Sequence, residues 1–156
     1  MSKAELSLVK QTLNCTIYTI QFINKNETEF EEFYLKFTNN AEYNADLIKI
    51  VAFINKIADI GAFERFFRPE GRIKDNVCAL PTVKSKLRLY CIRLSNKILI
   101  LGNGDIKRSK KYNDDEKLKG YVLTLQRFEK LILEGKDNGT IEITENTIEA
   151  ENYFDI

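Results

Sequence analysis

Apolar positions along the chain change period several times, and the changes mark the elements. "CTIYTIQFI", Cys15 to Ile23, is rich in β-branched and aromatic residues and predicts a strand. The dozen residues before it read as a short tail or a frayed helix. Next, Phe30, Phe33, Tyr34 and Phe37 fall at i, i+3, i+4 and i+7, one face of a helix. Asn24 or Asn26 could cap that helix, and Glu27, Glu29, Glu31 and Glu32 crowd its first turns, where the helix dipole favours carboxylates. A second helix begins near Asn44 or Ala45. Its stripe is Leu47, Ile50, Val51, Ile54, Ile57 and Ala58, and Gly61 ends it.

After a turn-rich connector, "FERFFRPEGRIKDN", come three strand-like pieces: "NVCALP", "SKLRLYCIRLS" and "KILILGN". Ser95-Asn96 predicts a tight hairpin between the last two. Ile98 to Leu101 are apolar without alternation, which places that strand mid-sheet. In the strand before it, Lys86, Arg88 and Tyr90 share one parity, while Leu87, Leu89 and Cys91 share the other. That parity predicts a sheet with one helix-packed apolar face and one cationic-aromatic face. A third helix is expected from about Asp114, with Leu118, Tyr121, Val122, Leu125, Phe128, Leu131 and Ile132 in register and Gly135 as its stop. Ile141 and Ile143 then alternate with polar residues as a solvent-facing strand. The order β-α-α-β-β-β-α-β predicts an α+β fold, a helical hairpin packed on a mostly antiparallel sheet.

At 156 residues the expectation is one domain, 1–156, able to bury a core without staples. No apolar run approaches the roughly 20 residues needed to span a bilayer, and no signal-peptide core is present. A cytoplasmic protein with no membrane association is therefore expected. Three cysteines, Cys15, Cys78 and Cys91, without CxxC spacing, point to buried free thiols rather than a metal site or a disulfide framework. No histidine is present, so the usual metal ligand and the usual near-neutral base are missing. No metal or cofactor is expected, and any catalysis must use Lys, Arg, Tyr, Asp or Glu. The net charge of +1 conceals opposed blocks. Lys84 to Lys111 holds nine cations and one anion, Asp105; Asp137 to Ile156 holds six carboxylates and no cationic side chain. The basic residues leave the end of the central strand, where a phosphate-rich partner and a plain solvated loop are both physically reasonable.

Two local patterns resemble the RelE/HigB-like toxin family, in its phage-derived branch. "LRLYCIRL" resembles the family's Leu-Arg-x-Tyr strand, with Arg88 and Tyr90 in the matching slots. "ILILGNGDIKRSKKY" resembles a strand ending in Gly-Phe-x-Lys-Lys-Thr-x-Lys, matched by Gly104, Lys107, Arg108, Ser109 and Lys111. The likeness covers about residues 15–135; residues 136–156 form an additional acidic segment. Asp105 departs from the pattern, standing where the family usually has an aromatic residue. The resemblance implies a metal-independent mRNA endonuclease, working on the ribosome or on free mRNA, silenced by a small cognate antitoxin. Arg88, Lys107 and Arg108 would be the catalytic phosphate ligands. Lys84, Lys86, Tyr90, Lys110, Lys111 and Tyr112 would extend the RNA-binding surface. Such a site is chemically possible: positioned cations stabilise the reacting phosphate, a lysine with a depressed pKa can act as a base, and tyrosine can stack on a nucleobase. The alternative is a catalytically inactive protein of the same fold, of phage or mobile-element origin, that binds protein or nucleic acid. The acidic tail reads as a soluble edge strand, or as a segment that folds over the basic face and competes with RNA.

Overall fold

The computed structural model describes residues 2–69, 75–108, 115–150 and 153–156. It has an α+β fold with three helices and a mostly antiparallel sheet. The strands are β1 (Lys3–Gln11), β2 (Thr16–Phe22), β3 (Arg68–Pro69), β4 (Val77–Leu80), β5 (Leu87–Ser95), β6 (Ile98–Ile106), β7 (Ile141–Ile143), β8 (Ile148–Ala150) and β9 (Phe154–Asp155). The helices are α1 (Glu29–Phe37), α2 (Asn44–Ile60) and α3 (Glu116–Asn138). Seven strands form one sheet in the order β3-β4-β5-β6-β2-β1-β9, and β7 and β8 form a separate hairpin. As its unbroken apolar run requires, β6 lies fourth of the seven. It pairs antiparallel with β5 and parallel with β2.

Both faces of this sheet are covered, which corrects the expectation of an open cationic-aromatic face. On one side α1 and α2 bury Phe33, Phe37, Leu47, Ile50, Ile54 and Ile57 against Leu87, Leu89, Cys91, Leu99 and Leu101. On the other, α3 buries Leu118, Val122, Leu125, Phe128 and Ile132 against Tyr90, Ile92, Ile98 and Ile100. The reason is economy of apolar surface. The α3 stripe must leave water, at about 25 cal/mol per Å² of apolar area, and the parity that carries Tyr90 also carries Ile92.

Local chemistry explains most boundaries. Thr28, not Asn24 or Asn26, caps α1: its side chain accepts from Glu31 N–H while the Glu31 carboxylate accepts from Thr28 N–H. Within the α1 stripe, Phe33 and Phe37 are buried but Tyr34 is exposed. α2 stops at Gly61, whose φ of +115° suits a residue without a Cβ. The first residues form a strand, β1, rather than a tail or helix. It lies near the sheet's edge and buries little beyond Ala4, although Lys3 to Leu8 alternate polar with apolar residues. α3 runs through Gly135 to Asn138 and ends at Gly139 in the left-handed conformation. Gly135 is a packing position instead of a stop: a Cβ there would lie 2.4 Å from Ile141 Cδ1.

The acidic segment is also less solvent-facing than its alternation predicts. Ile141 and Ile148 are buried in the α3-side core, and Tyr18 Oη accepts from Ile148 N–H at 3.0 Å. β9 pairs with the start of β1.

The second half of β6 is irregular. Leu89 pairs with Gly104 and Cys91 with Leu101, so two β6 residues, Gly102 and Asn103, stand opposite Tyr90. This bulge shifts the strand's phase. Leu101 and Ile106 pack on the same core although they stand five positions apart, an odd spacing that an unbroken strand would split between its two faces. Gly104 is required here, because a Cβ would sit 1.9 Å from the Arg88 carbonyl oxygen.

Candidate nucleic-acid interface

The end of β6 and the start of β5 meet at one rim of the sheet. Lys107 N–H donates to the Lys86 carbonyl at 2.7 Å, continuing the pairing of Leu87 with Ile106 and Arg88 with Asp105. Lys84, Lys86 and Arg108 are exposed there and Lys107 is half-buried. Two separated stretches of basic sequence thus become one cationic edge. Lys86 leans on α2: its backbone N–H donates to Asp46, its ammonium lies 4.0 Å from a Glu42 carboxylate oxygen, and it sits over the Tyr43 ring. Both members of the Lys86–Glu42 pair are about two-thirds exposed, so the contact contributes roughly 0–1 kcal/mol and yields readily to a competing anion.

Two expected site residues are elsewhere. Arg88 is buried at 6% exposure, with Nη1 donating to the carbonyls of Ser85 and Leu87. Tyr90 has no exposure and packs with α3. In this conformation neither presents itself to RNA, so the even-parity run Lys86, Arg88, Tyr90 is exposed only at Lys86. For Tyr90 the reason is again α3, which occupies the face that the parity argument left open. Lys110, Lys111 and Tyr112 lie outside the described residues.

Behind the rim is a buried polar cluster that strand parity could not reveal. The parallel pairing of β2 with β6 runs from Thr16 with Ile98 to Thr19 with Leu101, and the Lys36 ammonium from the last turn of α1 reaches the next stretch of β6. It donates to Asn103 Oδ1 at 3.1 Å, the Gly104 carbonyl at 2.7 Å, Asp105 Oδ2 at 3.4 Å and Tyr121 Oη at 3.1 Å. One side chain therefore joins α1, β6 and α3. Lys117, in the first turn of α3, places its ammonium 2.6 Å from the same Asp105 oxygen. The Asp105 side chain is 8% exposed and that of Lys117 57%.

Burial alone would raise the Asp105 pKa. The Lys117 bond, the Ile106 N–H and the charges of Lys36 and Lys117 outweigh that and hold it below the usual carboxylate range. Burial lowers the Lys36 pKa, against the pull of Asp105. Burial and the nearby Asp105 charge push the Tyr121 phenol well above its ordinary value. Glu29, at the start of α1, is raised chiefly by burial, with Lys25 opposing. The sequence held one usable cue: Asp105 is the sole anion in the basic block, and a buried carboxylate needs cationic partners. That those partners are Lys36 and Lys117 depends on the bulge, which turns Asp105 toward α3.

Among the described residues, no three His, Cys, Asp or Glu side chains are grouped to hold a metal ion, and no helix is long and apolar enough to cross a membrane. Comparison with protein-family models, curated proteins and solved structures finds no match to this chain. The functional reading therefore rests on the residues themselves.

Proposed function

We propose that this protein binds RNA through the cationic rim formed by Lys84, Lys86, Lys107 and Arg108, on a RelE/HigB-like framework. The observation that carries the reading is the Lys107-to-Lys86 backbone hydrogen bond, which gathers the two basic stretches at one edge of the sheet. The framework is supported by order: a strand, two helices on one face, a β4-β5-β6 meander and a helix succeed one another within about residues 15–138. Phosphate contacts of this kind weaken with ionic strength, by a slope of about 0.7 in log K per contact on a single strand. Binding of a single-stranded oligoribonucleotide, monitored by fluorescence anisotropy from about 50 to 200 mM salt, tests it. Lys84→Ala/Lys86→Ala and Lys107→Ala/Arg108→Ala should each weaken binding and reduce the slope. Equal affinity in all three proteins would exclude the rim.

A second reading adds catalysis: a toxin that cleaves mRNA, acts in the cytoplasm with or without the ribosome, and is held inactive by a cognate antitoxin. One observation favours it. Lys86, Lys107 and Arg108 gather at one strand end, and positioned cations of this kind are what a histidine-free site uses to stabilise a reacting phosphate. Against it, the buried Arg88 is not placed to meet a phosphate in this conformation. Growth arrest on induced expression, relieved by Lys107→Ala/Arg108→Ala with folding confirmed, would establish the toxin; normal growth with both proteins at matched levels would leave the binding protein.

A further inference from the structure

A buried carboxylate that holds two lysines at the edge of a cationic rim occupies a position suited to an anion. Around Asp105 the fold assembles the Lys117 ammonium at 2.6 Å, the Lys36 ammonium at 3.4 Å and the Ile106 N–H at 2.7 Å from its nearest oxygens. The Lys36 ammonium also contacts Tyr121 Oη. The first turn of α3, capped by Asp115, lies beside them and supplies Lys117. The two lysines differ in one respect that matters. Lys36 is about three-quarters buried and also tied to Asn103 and Gly104, whereas Lys117 is more than half exposed, and Asp105 is its one ion-pair partner among the described residues. Lys36 is therefore committed to the fold, and Lys117 is held by one contact.

We propose that Lys117 is an additional phosphate-binding residue whose access to RNA is limited by Asp105, an intramolecular carboxylate standing in for the phosphate. This deepens the RNA-binding reading and rests on it for the identity of the ligand. An incoming phosphate competes with Asp105 for Lys117 alone; Lys36 continues to neutralise the carboxylate, so the strand end stays in place. The chemistry explains why the one anion of the basic block is buried at the end of the central strand rather than scattered on the surface. It keeps the rim's affinity for polyanions below what its cations would give.

The test uses the full chain, with an oligoribonucleotide and with inorganic tripolyphosphate as probes. Asp105→Asn should bind RNA about five-fold more tightly at about 0.1 M salt, with the salt slope steeper by about 0.7, the increment of one added phosphate contact. Adding Lys117→Met to Asp105→Asn should remove that gain in affinity and slope. A double variant that keeps the gain would overturn the proposal, because the gain would then be a general charge effect. No gain in Asp105→Asn would overturn it as well. Should Asp105→Asn unfold, the wild type decides: the Lys117 Cε resonance should move on titration with tripolyphosphate, and a stationary resonance refutes the subsite. If tripolyphosphate moves Lys117 but no protein binds RNA, the subsite stands and the RNA reading falls. If the rim variants weaken RNA binding while Lys117 responds to neither probe, the RNA reading stands and the subsite falls.

Discussion

Replacing Lys36 with methionine isolates the tether that joins α1, β6 and α3. Methionine keeps most of the aliphatic stem, so packing changes little and the loss is chiefly that of the ammonium. Four acceptors lose a donor; the Gly104 carbonyl at 2.7 Å is the best placed and lies on a buried residue, while Asn103 Oδ1 keeps the Gly104 N–H at 2.8 Å. A hydrogen bond to a charged group contributes about 1.5–3 kcal/mol net, and a buried acceptor left unmade costs about 1–3 kcal/mol. Two effects reduce the total. The Lys36 side chain is 26% exposed, so water can reach part of the site, and Lys117 still neutralises Asp105. The expected loss is about 2–3 kcal/mol, read from urea denaturation at pH 7. For a chain of this size that corresponds to a fall in Tm of about 4–12 °C. Lys25→Met provides the comparison: its ammonium also reaches one carboxylate, Glu32, at 3.2 Å, but both partners are more than a third exposed and the loss should stay below about 1 kcal/mol. If Lys36→Met cost no more than Lys25→Met, the cluster would not organise the strand end, and the account of the site would be wrong.

Four further outcomes are expected. Tyr90→Ala should cost about 3–5 kcal/mol, the range for emptying an aromatic core position; a loss below about 1 kcal/mol in denaturant would mean that the ring is a surface residue free to stack on RNA. Gly104→Ala should destabilise by about 3 kcal/mol, since its methyl would meet the Arg88 carbonyl at 1.9 Å, and a normal urea midpoint would refute the bulge geometry. Asp105 has its pKa depressed in the folded state, so its stabilisation is complete above the ordinary carboxylate value of 3.8 and fades as pH falls through the folded value; Asp105→Asn should lower stability at pH 7 but flatten the acid limb of the stability profile. Glu29 has the opposite sign. Its raised folded pKa favours the protonated form, so its contribution is greatest below the ordinary 4.5 and is lost as pH rises through the folded value. Glu29→Gln should therefore gain stability relative to wild type between pH 4 and pH 7, and a difference that does not vary with pH would contradict the raised value.

Much of the architecture is legible from residue pattern. The apolar run of β6 could be satisfied only mid-sheet and the stripes of α2 and α3 only by burial against strands. These are consequences of local periodicity and the cost of exposing apolar surface. The short reversal between β5 and β6 falls one residue later than Ser95-Asn96, at Asn96-Lys97. The tail reading of the first residues overlooked a legible cue, since Lys3 to Leu8 of β1 alternate polar with apolar residues. Gly135 misled because a glycine that stops a helix and one that admits a neighbouring side chain are written with the same letter.

The rim's composition was legible too, since the basic block and its lone Asp105 are present in the chain regardless of fold. What each of those residues faces was not. Parity along β5 is local, but whether the second face of the sheet meets water or α3 depends on a helix that begins some twenty residues after that strand ends. The phase of β6 beyond Leu101 depends on a bulge created by pairing with β5, and that slip turns Asp105 toward Lys117 and Tyr121. Lys36 and Asp105 are 69 residues apart and meet only because α1 lies across the end of β6. Sequence thus determined which segments must be buried and where charge accumulates, because both depend on side chains and their spacing. Tertiary structure alone decided which charges become partners and that both faces of the sheet are covered, because both depend on contacts between segments distant in the chain.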